Sequence, residues 1–179
     1  MDPHQRRLRT RLPALIGQLK PQAAAGPGWR RRPADGWWTR FALHGTQAPP
    51  PVAVVISFID CINRGDADGL GSLMTDDHEL DVFDEEPLRG KVLSIEAWRG
   101  YISAFPGYVI CPRSIAEPGN GQVAVLGHTA GSHLGLSEDE ERKLSVIWLA
   151  ETENGLLRSW RLVTDTRARR HDLGLGWLP

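Results

Sequence analysis

The chain has 179 residues and a mass of 19.8 kDa, room for one domain with an appendage but not for two separate cores. With 41% hydrophobic and 24% charged residues it reads as a globular chain, and no stretch approaches the roughly 20 apolar residues of a membrane helix, which excludes a transmembrane helical protein. The net charge of −1 hides a division: residues 1–50 carry nine Lys and Arg against two acids, leaving 12 against 20 for the rest.

The first 51 residues hold eight of the thirteen prolines, so they read as a basic, Pro-rich, disordered extension over 1–50. Two other readings stay open. Arg30, Arg31 and Arg32 with Trp29, Trp37 and Trp38 form the only pointer to nucleic acid or an anionic surface, and the Arg-rich, acid-poor start has the composition of a transit peptide. The globular domain is expected over 51–175, followed by a short tail, 176–179.

Pro51 suits a first helical turn, and Val52, Val55, Ile56 and Ile59 follow at helical spacing until Asn63-Arg64-Gly65. Asp66 can cap a second, shorter helix through Leu70, Leu73 and Met74. His78 to Phe83 alternates as a strand, with Leu80 and Val82 on one face and Glu79, Asp81 and Phe83 on the other. Ser94 can cap a third helix, whose Ile95, Trp98, Ile102 and Phe105 make a stripe ending at Pro106.

Strands separated by turns follow: Tyr108 to Ala116, Val123 to about His133, Arg142 to Ala150 and Leu156 to Asp165, the last two joined by Glu153-Asn154-Gly155. The class is α+β. The acidic run Glu138 to Glu141 needs only a solvated hairpin to explain it.

Cys61 and Cys111 sit in apolar contexts without a second pair, which argues for free thiols and a reducing cytoplasm. Gly-rich nucleotide loops, His-Glu-x-x-His, Gly-x-Ser-x-Gly and calcium loops are all missing, so no cofactor is expected. His78, Asp81, His128 and His133 offer N and O ligands but at no recognised metal spacing, and no metal is expected.

The ionisable residues on strands are the candidates for chemistry. Arg161, Val163 and Asp165 share one face of the last strand. If that face lines a cavity, burial raises the Asp165 carboxyl into the acid/base range; otherwise Asp165 caps the next turn or pairs with Arg161 or Arg169. His128 and His133 lie on opposite faces of a regular strand, or on one face if Gly131 carries a bulge. Trp98 and Trp148, with Trp160, Tyr101, Phe105 and Tyr108, are core residues or the walls of a pocket for a flat hydrophobic ligand.

From about Val52 to Leu175 the chain resembles the SnoaL-like polyketide cyclase group of the nuclear transport factor 2-like superfamily. The matching pieces are "NRGDADGL", "MTDDHELDVFD", "LRGK", "EAWRGYISAFPGY", "GHTAGSH" and "NGLLRSWRLVTDTRARRHDLGL". The resemblance implies a cone-shaped half-barrel, a curved and mostly antiparallel sheet wrapped around three helices, often dimeric through the sheet. It further implies a cofactor-free cyclase, isomerase, dehydratase or hydrolase acting on a hydrophobic carbonyl compound, or else a non-catalytic binding or dimerisation module. In the enzymatic reading Asp165 and His133 are catalytic, and Asp81, Trp98, His128, Trp148 and Arg161 contact the substrate. Gly107 departs from the family pattern, since an acid usually follows Phe-Pro.

Overall fold

Pro51–Arg64 forms helix α1, with proline in its first turn and Gly65 closing it at φ 67°. The computed structural model describes residues 48–83 and 85–176. The basic extension, except its last three residues, and most of the short tail lie outside these residues. Asp66 accepts the Gly69 N–H at 2.8 Å and starts α2, Ala67–Ser72. The following elements are β1 (Met74–Val82), β2 (Leu88–Arg89), α3 (Lys91–Ala104), β3 (Val109–Gly119), β4 (Gln122–Ala130), α4 (Glu138–Glu141), β5 (Val146–Glu153), β6 (Leu156–Thr164) and α5 (Arg167–Asp172). No described helix is long and apolar enough to cross a membrane.

The strands form one sheet in the order β2-β1-β6-β5-β4-β3, antiparallel except for the parallel pair β1 and β6. Asn120-Gly121 and Asn154-Gly155 turn the β3–β4 and β5–β6 hairpins with both residues at positive φ, the backbone that two-residue hairpin turns require. The architecture is therefore the expected α+β arrangement, with the last four strands as a meander.

Several boundaries differ from the sequence reading: β4 ends at Ala130 and not near His133, β5 starts at Val146 and not at Arg142, and the starts of α3 and β1 move as well. Helix α3 starts at Lys91 behind Gly90, and Ser94 lies inside it, its hydroxyl bonded back to the Gly90 carbonyl at 3.0 Å. The start is set earlier because Leu88–Arg89 pairs with β1 and the Gly90 N–H bonds the His78 carbonyl. β1 begins at Met74 and carries an irregularity: Met74 faces Leu157 and Glu79 faces Ser159, so five steps on one strand span two on the other. His78 sits in this bulge, fully buried, with Nδ1 2.9 Å from the Leu157 carbonyl.

The main core lies between the helices and the concave sheet face. Phe58 of α1, fully buried, packs on the rings of His78, Trp98 and Trp160, and Trp160 stacks on Trp148 at 6.4 Å. Burying such a ring contributes about 2–3 kcal/mol. The opposite, convex face carries a smaller cluster of Ala124, Leu126, Ile147 and Leu175, flanked by Leu149, Val163 and Leu173. The chain thus covers part of its own convex face with the segment after α5, where the Ser114 hydroxyl bonds the Leu175 carbonyl at 3.3 Å.

Candidate functional site

Strand alternation decides which residues face the concavity. On β1 Leu80 and Val82 point inward, on β6 Leu162, on β5 Val146 and Trp148, and on β4 Thr129. Together with Ala97, Trp98 and Tyr101 of α3 they enclose a pocket of about 670 Å³ including its mouth. Phe83 also lines it. Alternation alone assigns Phe83 to the other face, but its φ of 57° ends the strand and turns the ring inward.

The polar edge of the pocket is built where β4 ends. Gly131, at φ 65°, turns the chain so that Ser132 and His133 reach the pocket wall. A Cβ on Gly131 would stand 2.3 Å from the Gly107 carbonyl oxygen, so only glycine fits. His133 is 8% exposed and its Nδ1 lies 2.9 Å from the Tyr101 hydroxyl. The His133 main-chain N–H donates to the same hydroxyl at 3.5 Å, which directs the phenol proton to Nδ1 and places the ring proton on Nε2. The Tyr101 and Phe105 rings meet the imidazole at 6.0 and 6.2 Å in edge geometry. Burial pushes the Tyr101 phenol well above its ordinary range and does the same to Tyr108, the other tyrosine in the wall. Both therefore stay protonated, and Tyr101 donates to His133.

Behind Ser132 stands Glu141. Its carboxylate accepts hydrogen bonds from the Ser132 N–H at 3.0 Å, the Ser132 hydroxyl at 2.8 Å and the Thr129 hydroxyl at 3.1 Å. Glu141 is 1% exposed. The acidic run is thus a one-turn helix with a buried end and not a solvated hairpin. Ser137 and Glu140 form its capping box, the Ser-x-x-Glu spacing being the one signal for it in the sequence. The indole N–H groups of Trp98 and Trp148, both in the wall, meet no acceptor among the described residues.

Of the residues singled out from sequence, Trp98, Tyr101, Tyr108, His133 and Trp148 line the pocket, and Phe105 and Trp160 do not. Asp165 does not. It follows the inward-facing Leu162 by three residues, on the alternate side, and its carboxylate is held by two hydrogen bonds from Arg170, one of them 2.6 Å from Nε. Burial pushes this carboxyl up, but the bonds from Arg170 and Ser145 outweigh it and hold the carboxyl below its ordinary range. The face of Asp165 lies outside the pocket, so the rise expected of a cavity-lining carboxyl does not apply, and the pairing partner is Arg170 in place of Arg161 or Arg169.

Asp81 and Arg161 are cross-strand neighbours on the convex side and form an ion pair at 2.7 Å. They do not reach the pocket because their neighbours Leu80, Val82 and Leu162 do. His128 stands opposite Cys111 of β3, on the same face as Leu126, and its affinity for protons is lowered by burial and by Arg113 and Arg142. The turn at Gly131 lies beyond His128, so it redirects His133 alone.

A family model described as a SnoaL-like domain matches residues 55–160. A search of curated proteins finds no match. Among solved structures, a cystatin-fold protein from Novosphingobium aromaticivorans is 15% identical with a TM-score of 0.55, covering 65% of this chain and 100% of its own. A candidate polyketide cyclase from Sinorhizobium meliloti is 18% identical, TM-score 0.52, covering 62% and 93%. A candidate SnoaL-like polyketide cyclase from Jannaschia is 16% identical, TM-score 0.52, covering 74% and 100%. At these identities the structures speak for the fold alone, whereas the family model spans more than half of the chain. The family model covers residues 55–160, and the chain belongs to the SnoaL-like domain family.

Proposed function

We propose that the pocket binds a flat, hydrophobic small molecule carrying a carbonyl oxygen. The observation that carries this is the composition of the wall: apolar surface from Leu80, Val82, Phe83, Trp148 and Leu162, with two indole N–H donors that have no acceptor among the described residues and the His133–Tyr101 pair at one edge. A ligand oxygen would supply the acceptor that the described residues leave out. Calorimetric titration of the full chain with 2-acetonaphthone tests the reading. Saturable binding is expected, weakened about fivefold by Trp98→Phe, which keeps the ring's apolar body and removes its N–H. Absence of saturable binding, or no response to Trp98→Phe and Trp148→Phe alike, sinks it.

The Tyr101–His133 hydrogen bond favours a second, enzymatic reading on the same ligand. His133 is the acid/base in a cofactor-free proton transfer, Tyr101 fixes its ring, and Asp165 is a structural tie. His133→Gln should then abolish turnover while binding persists; equal turnover in the variant removes this reading and leaves the binding module. The free thiols Cys61 and Cys111 support the cytoplasm as the compartment. A homodimer belongs to the same proposal, with the β1–β6 part of the convex face as the surface that the C-terminal segment leaves to a partner.

A further inference from the structure

We propose that Glu141 is the specificity-determining residue of this pocket: its buried carboxylate positions the Thr129–Ser132–His133 wall and charges it negatively, so that neutral or cationic ligands enter and carboxylates are turned away. The inference rests on the binding reading above and adds to it the charge of the ligand.

Buried carboxylates are ordinarily paired with a cation. Among the described residues no Lys or Arg lies within ion-pair distance of Glu141, although it is 1% exposed. Three neutral donors hold it instead, all from residues that line the pocket. Hydrogen bonds of this kind stabilise the anion but leave its field in place. The field reaches the adjoining tyrosines of the wall, where Glu141 adds to the upward shift that burial chiefly causes in Tyr101 and Tyr108. Among the described residues the wall contains neither Lys nor Arg to offset it. An anion entering the pocket therefore meets repulsion in a setting where water screens little. An ammonium pays the same desolvation cost but is attracted.

The test measures binding of three probes of one shape to the full chain by calorimetry: 2-acetonaphthone, 2-naphthoate and 2-(aminomethyl)naphthalene. The ammonium should bind on the order of tenfold more tightly than the carboxylate. In Glu141→Gln the amide oxygen can still accept from Ser132 and the amide NH₂ can donate to the Thr129 hydroxyl, and the ratio should collapse towards one. Equal weakness of the two charged probes in the wild type overturns the proposal, because desolvation alone then explains it, and this comparison needs no variant to fold. An unchanged ratio in a folded Glu141→Gln, with its thermal transition intact, overturns it too. In both cases binding of the ketone leaves the binding reading standing, whereas failure of all three probes to bind overturns both.

Discussion

Asn63, one residue before the end of α1, holds both backbone groups of Ile110 on β3: its amide nitrogen donates to the Ile110 carbonyl at 2.9 Å and its carbonyl oxygen accepts the Ile110 N–H at 2.7 Å. The residue that looked in sequence like a helix stop thus docks the helix onto the sheet. Asn63→Ala leaves two main-chain groups short of partners and should cost about 1–3 kcal/mol. Chemical denaturation checks this, and a change within about 0.5 kcal/mol would mean that water replaces the amide.

Asp165→Asn should lower stability and not ligand binding. The carboxylate is 6% exposed and its partner Arg170 20%, so removing the charge leaves a partly buried guanidinium without its counter-ion, a loss of about 1–3 kcal/mol. Because the folded carboxyl titrates below its ordinary value, the stabilisation is complete above about pH 4 and is lost as the pH falls below that. Thermal melts at pH 7 and calorimetry with 2-acetonaphthone separate the two effects. Lost binding with an unchanged melt would restore a site role for Asp165.

Stability should also fall in the mildly acidic range because of His78. Burial disfavours its charged ring more strongly than the Leu157 carbonyl, Asp77 and Glu79 favour it. An unfolded histidine takes up a proton near pH 6.5, so the buried neutral ring is stabilising above that value and costs stability as the pH drops below it, by at most about 1.4 kcal/mol per unit. His128, shifted in the same direction, adds to the slope. Urea midpoints at pH 7.5, 6.5 and 5.5 should decline in the wild type and decline less in His78→Gln; parallel slopes would show that the proton goes elsewhere.

Gly131→Ala should both destabilise the protein and disable the pocket. A Cβ there meets the Gly107 carbonyl, and the positive φ adds strain of about 1–2 kcal/mol. Relief requires moving the turn that carries Ser132 and His133. A crystal structure of the variant should show the His133–Tyr101 bond broken, with ketone affinity reduced at least several-fold; an intact bond contradicts this.

Deleting residues 173–179 should promote self-association. Leu173 and Leu175 cover Ala124, Leu126 and Ile147 on the convex face, and their loss exposes an apolar surface of the kind that recruits a second chain. Sedimentation velocity of the full and shortened chains at equal concentration gives the comparison, and identical profiles would show that the segment does not guard this face.

Local signals determined much of the architecture by themselves. Proline at the start of α1, Gly65 at its end, the Asp66 cap and the two Asn-Gly turns each act within a few residues, so their physics is complete in the chain. The stripe that brings Trp98 inward and the alternation that brings Trp148 inward were legible for the same reason. Which face of β6 would become the inside was decided only by the tertiary structure, since alternation defines two faces without naming the concave one. The sheet closes over Trp160 and Leu162, which carries Arg161 and Asp165 to the other side. The partners that settle each ionisable group are likewise remote or loop-borne. Tyr101 reaches His133 from 32 residues away, and Glu141 became a buried acceptor because a one-turn helix carried it beneath Ser132, a placement that its three exposed acidic neighbours in sequence conceal.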